Sequence, residues 1–137
     1  MQLILDANIL LSSLIKDSKT REILLDPKLE SFAPEFLLTE VQKHIIFDKE
    51  VRDKIDMTDS EISELLSLLF ERIKIIAKEE YLEFIEEASK LVEHEKDTQY
   101  LALSLSLNLP LWSNDKGLKK QSKVKILSTD ELSELLK

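Results

Sequence analysis

Short apolar runs, each halted by a polar residue or a proline and followed by helically spaced apolar residues, recur along this chain. That alternation narrows its fold more than any other feature. The first run is Leu3, Ile4 and Leu5, halted by Asp6; Ile9, Leu10, Leu14 and Ile15 then fall at spacings suited to a buried helical face. A second helix is predicted over residues 19–25, ended by Pro27, and a second strand over residues 31–33. Pro34 suits the first turn of the next helix, which carries Phe36, Leu37, Val41, Ile45 and Ile46 inward. Thr58 with Glu61 forms a capping-box start for a further helix with Ile62, Leu65, Leu66 and Leu69 on its inner face.

The β-branched run Ile73, Ile75, Ile76 marks a third strand, followed by a helix carrying Leu82, Ile85, Ala88 and Val92. Leucines at 101, 103, 105, 107, 109 and 111 alternate with period two, which taken alone predicts a long strand. Strong helix formers and the absence of β-branched residues predict instead a buried helix, broken at Asn108-Leu109-Pro110, then a short strand over 109–112. A last strand over 124–127 precedes a helix capped by Ser128 or Thr129. Repeated strand and helix units predict an α/β fold with a mostly parallel sheet and helices on both faces.

With 137 residues, one Gly, three Pro and no repeat or low-complexity stretch, the chain reads as a single domain over 1–137. No run approaches the roughly 20 apolar residues that span a bilayer, and the start lacks secretory features, so a soluble cytoplasmic protein is expected. The absence of cysteine excludes disulfides, thiolate zinc sites and Cys nucleophiles, leaving oxygen and imidazole ligands for any metal. A formal net charge of -8 argues against a broad basic face for nucleic acid. If four carboxylates occupy one site, however, half of that charge belongs to the site.

In open parallel sheets, ligands bind beyond the carboxyl ends of the strands. Asp6 directly follows the first strand, and Ser113, Asn114 and Asp115 follow the fourth. Glu40 lies on the helix after the second strand, and Asp97 starts the helix before the fourth. Each has an ordinary reading: Asp97 or Asp115 alone is first an N-cap, and Glu40 alone a solvated helix residue. Together they form a repulsive cluster that a divalent cation neutralises, and such cations support phosphodiester hydrolysis without Cys or His. Asn8, Ser12, Ser113 and Asn114 could orient carboxylates or water, or serve as caps and turns. His44 and His94 are too isolated to suggest a zinc site and are read as structural.

The segment Leu5-Asp6-Ala7-Asn8-Ile9-Leu10-Leu11-Ser12 resembles the opening D-x-N-x-x-x-S motif of PIN domains. Thr39-Glu40-Val41, Asp97-Thr98-Gln99-Tyr100-Leu101-Ala102-Leu103 and Leu109 through Leu118 are similar to that family's later acidic motifs in order and spacing. The resemblance covers essentially the whole chain. It implies a three-layer α/β/α sandwich with a five-stranded parallel sheet, and Asp6, Glu40, Asp97 and Asp115 as catalytic ligands of Mg2+ or Mn2+. Asn8, Ser12, Ser113 and Asn114 would be supporting groups, with Glu95 as a fifth acid. It further implies a metal-dependent endoribonuclease acting on RNA, and for VapC-type members a toxin paired with an antitoxin protein and assembled as a homodimer. Arg21, Lys43, Lys49, Arg52, Lys116, Lys119 and Lys120 are the nearest basic candidates for RNA. Two alternatives stand beside this reading: a non-catalytic PIN-like scaffold, and a receiver-like domain. The receiver-like reading lacks an Asp after the third strand and a Lys after the last.

Overall fold

The computed structural model describes residues 1–15 and 18–137. Five strands form one sheet: β1 (Gln2–Leu5), β2 (Glu30–Pro34), β3 (Ile73–Ile76), β4 (Leu111–Trp112) and β5 (Ile126–Leu127). Every neighbouring pair is parallel, in the order β3-β2-β1-β4-β5. Parallel strands cannot be joined by tight hairpins, so helices carry the chain between them. These are α1 (Ala7–Ser12), α2 (Lys19–Leu24), α3 (Phe36–Phe47), α4 (Lys49–Lys54), α5 (Asp59–Phe70), α6 (Ile85–Ser89), α7 (Thr98–Leu107) and α8 (Thr129–Leu135). Short 3-10 turns lie at Lys78–Glu80, Leu82–Phe84, Glu95–Asp97 and Lys116–Lys120. The result is an α/β sandwich built on a five-stranded parallel sheet. Among the described residues no helix is long and apolar enough to cross a membrane.

Burial explains the strand sequences. Leu3, Ile4 and Leu5 on central β1 are completely buried, because both faces of the sheet are covered, and a strand buried on both faces reads as a continuous apolar run. The edges are blunted. Lys74 on β3 is exposed, and β5 is only two residues long, which limits unwanted strand addition. Helix α7 packs against β1, β2 and β4, and Tyr100, Leu101, Ala102, Leu103 and Ser104 are consecutively buried. A helix buried on several sides shows no amphipathic period, which is why its leucines mimic a strand. Asn108 ends it in the left-handed conformation (φ 54°, ψ 49°), its N–H donating to the Ser104 carbonyl.

Several sequence expectations are corrected. Pro34 is the last residue of β2, paired with Ile76, rather than the first turn of α3; lacking an N–H, it closes the strand. The segment after Phe47 contains α4, started by Asp48, whose side chain accepts from the Val51 N–H. Helix α6 stops at Ser89, so Val92 lies beyond it, and two 3-10 turns occupy the stretch holding Leu82. Leu14 is buried beyond the end of α1, while Ile15 and Ile46 are exposed. Strand β4 begins at Leu111 and β5 at Ile126. Both capping boxes are present, Thr58 with Glu61 on α5 and Ser128 with Glu131 on α8.

The strand order decides where a ligand can bind. The chain runs from β1 through β2 to β3 in one direction, then returns to place β4 on the other side of β1. Connections therefore leave β1 and β4 in opposite directions, opening a crevice at their carboxyl ends. Receiver-like sheets have the order 2-1-3-4-5 instead, so the receiver-like alternative is overturned.

The burial pattern makes a paired stability prediction. Leu103→Ala, in the fully buried part of α7, should lower unfolding free energy by about 3 kcal/mol, whereas Ile46→Ala on the exposed side of α3 should change it by less than about 0.5 kcal/mol. Urea denaturation of both variants checks it, and equal losses would contradict this placement of α3 and α7.

Candidate active site

Asp6 stands where the crevice opens. Leu5 and Trp112 are register partners across β1 and β4, so the next residues, Asp6 and Ser113, emerge side by side. Asp6 caps α1 by accepting the Ile9 N–H at 3.0 Å. It is also only 5% exposed. Burial pushes its carboxyl up to about 6, opposed by the Ser113 hydroxyl and the Ile9 N–H and reinforced by the charges of Asp97 and Glu40.

Glu40 reaches this point from α3, and Asp97 from the 3-10 turn preceding α7. Asp6, Asn8, Glu40, His44, Lys96, Asp97 and Tyr100 line one small pocket. Asp97 is 7% exposed, and it occupies the N-cap position of α7 without making a capping hydrogen bond. The ordinary capping explanation therefore fails for this carboxylate. Burial raises its pKa, with Asp115 and more weakly Glu40 adding to the effect against Lys96 and His94. Tyr100 donates a hydrogen bond from its hydroxyl to Oε1 of Glu40. Burial and the adjacent carboxylates raise the phenol's pKa, so it stays a neutral donor.

Asp115 does act as a cap. Its carboxylate accepts the Gly117 N–H at 2.9 Å, and its own N–H donates to Ser113 Oγ at 3.2 Å. It does not line the pocket, although its charge is felt at Asp97. The remaining candidates divide. Ser113 is buried beside Asp6, and Asn8 lines the pocket. Asn114 faces away: its side chain donates to Thr129 Oγ1 and accepts the Thr129 N–H, tying the end of β4 to α8. Ser12 lies in a neighbouring groove with Leu11, Val51 and Lys54. Glu95 is exposed outside the pocket.

Two pocket residues, Lys96 and Tyr100, are not among the sequence candidates, and a third, His44, is there read as structural. Helical spacing was the available signal, since His44 lies four residues after Glu40 on α3 and Tyr100 three after Asp97. His44 Nδ1 lies 3.3 Å from Asp48 Oδ2, which orients the imidazole. Lys119 and Lys120, by contrast, are engaged by Glu131 and Glu93.

Among the described residues, none of the four acids is in an ion pair. Asp6 and Asp97 are buried, and Glu40 and Asp115 half-buried; mutually repelling oxygen donors without a counter-cation suit a hard divalent ion such as Mg2+ or Mn2+. As the side chains stand, no three His, Asp or Glu residues among those described converge to hold one ion. Carboxylates that repel one another have no reason to converge before a cation arrives. The donor chemistry fits the ion, and side-chain rotation would have to complete its coordination.

Residues 4–137 match the PIN domain family. The chain therefore belongs to the PIN domain family, whose members are generally nucleases. No curated protein matches it. Two solved structures share its fold. VapBC2 from Rickettsia felis, crystallised bound to a DNA fragment from their promoter, is 20% identical with a TM-score of 0.64, covering 93% of this chain and 98% of that one. PAE2754 from Pyrobaculum aerophilum is 17% identical with a TM-score of 0.65, covering 99% of this chain and 90% of that one.

The raised pKa of Asp6 has a consequence for stability. A buried carboxyl that holds its proton up to about pH 6 binds more protons folded than unfolded between pH 4 and 6. Stability therefore falls as pH rises through that window, and the full cost, about 3 kcal/mol, is present above it. In EDTA, Asp6→Asn should be more stable than wild type at pH 7, since Asn still caps α1, and the gain should vanish near pH 4. Denaturant unfolding at both pH values tests this; a gain that persists at pH 4 would contradict it.

Proposed function

We propose that this chain is a metal-dependent endoribonuclease that hydrolyses RNA phosphodiester bonds at the pocket beyond the carboxyl end of β1, lined from α3 and the start of α7. The observation that carries the reading is the meeting of Asp6, Glu40 and Asp97, from three separate chain segments, in one pocket at the sheet's switch point. Asp6, Glu40, Asp97 and Asp115 would hold Mg2+ or Mn2+. Such an ion, when bound, activates water and stabilises the leaving oxygen of a phosphodiester. Lys96 and the Asp48-oriented His44 place positive or donor groups at the rim, where they offset a phosphate's charge against the acidic pocket. Ser113 and Asn8 steady the Asp6 side of the pocket, while the exposed Glu95 adds only negative charge nearby.

The likeness to VapBC2 supports a finer reading, the toxin of a toxin-antitoxin pair, acting on cytoplasmic RNA, held by an antitoxin protein and assembled as a homodimer. Phe47, 80% exposed beside exposed Ile46, supports a protein partner on the α3 side.

Cleavage of labelled single-stranded RNA should require Mn2+ or Mg2+, stop in EDTA, and fall to the EDTA background in Asp6→Asn and Asp97→Asn. Metal-dependent cutting retained by Asp97→Asn would overturn the assignment. Absence of cutting by wild type on any RNA tried, with Mn2+ bound, would favour the non-catalytic scaffold.

A further inference from the structure

We infer that Tyr100 is a positioning residue that holds Glu40 with one carboxylate oxygen engaged and the other free for the pocket, so setting the spacing between the acids of α3 and α7. The inference rests on the metal-dependent reading above. Its basis is geometric. Tyr100 lies three residues beyond Asp97, on the first turn of α7, and is almost completely buried. Its hydroxyl donates to Oε1 of Glu40, and no hydrogen bond among the described residues engages Oε2. The ring is held in turn by Phe36, one turn before Glu40 on α3, with ring centroids 6.0 Å apart and planes tilted by 60°.

One aromatic side chain thus touches α3 twice, packing on Phe36 and bonding to Glu40, while its backbone is continuous with Asp97. Rotating Glu40 away would break the bond to a buried hydroxyl that has no other partner among the described residues. Loosening the ring would free two carboxylates to separate under their own repulsion. Outer groups that orient ligating carboxylates in this way typically change metal affinity by 10- to 100-fold.

The test is Mn2+ binding to the full chain, followed by the electron paramagnetic resonance signal of free Mn2+, in wild type, Tyr100→Phe, Glu40→Gln and the double variant. Tyr100→Phe keeps the ring on Phe36 and removes only the hydroxyl; a melting curve checks that it folds. Its Mn2+ affinity should fall about tenfold, and the loss should shrink in the Glu40→Gln background, because the hydroxyl acts through Glu40. Raising Mn2+ should restore RNA cleavage by Tyr100→Phe. Phe36→Leu, which loosens the ring with the hydroxyl intact, should shift affinity in the same direction. Unchanged affinity in a folded Tyr100→Phe would overturn the positioning role, as would an equal loss in both backgrounds, which marks general packing. Failure of wild type to bind Mn2+ would remove the metal reading and this inference with it.

Discussion

Strand β1 is flanked on both edges by parallel partners and covered on both faces, and the rest of the molecule is arranged around that confinement. Leu3 and Ile4 pair with Ser31 and Phe32 of β2 on one side, and Ile4 and Leu5 with Leu111 and Trp112 of β4 on the other. Because the connections leave β1 and β4 in opposite directions, their carboxyl ends open into a crevice instead of being closed by a crossover. Asp6 is placed there by the hydrophobic confinement of its predecessors. Its charge is tolerated at a cost, visible in the raised pKa, offset partly by the Ile9 N–H and the Ser113 hydroxyl.

The same confinement recruits the other acids. Helix α7 lies across β1, β2 and β4 and brings its leading Asp97 to the crevice, while α3, leaving β2, carries Glu40 in from the other side. Neither helix is directed there by its charges, which repel; apolar burial along the sheet overrides that repulsion. Tyr100 and Phe36 form the local connection between the two helices. The site therefore depends on packing for its assembly, and its charge would be balanced by the proposed cation or by protons.

Much of the fold was legible because its signals are local. The apolar runs of β1 and β3, the capping boxes at Thr58 and Ser128, and the helix breaker at Asn108 each announce themselves within a few residues. Misreadings arose where two local rules compete. Pro34 suits both a helix start and a strand end, and the pairing with Ile76 chose the latter. Val92 continues a helical spacing that the chain abandons at Ser89. The acids at strand ends were also legible, but whether each carboxylate caps a helix or faces the pocket was not: Asp97 makes no cap bond, Asp115 does, and Asp6 does so while remaining in the pocket.

By itself, then, the sequence determined most element types, the parallel sheet and where acids stand along those elements, because hydrophobic period and turn chemistry act between near neighbours. Only the tertiary structure decided which of those acids share a pocket, that His44, Lys96 and Tyr100 join them, and that Asn114 instead ties β4 to α8. Those outcomes depend on how helices far apart in the chain are pressed onto one sheet. Burial sets that arrangement through the summed packing of many apolar residues, and no single motif encodes it.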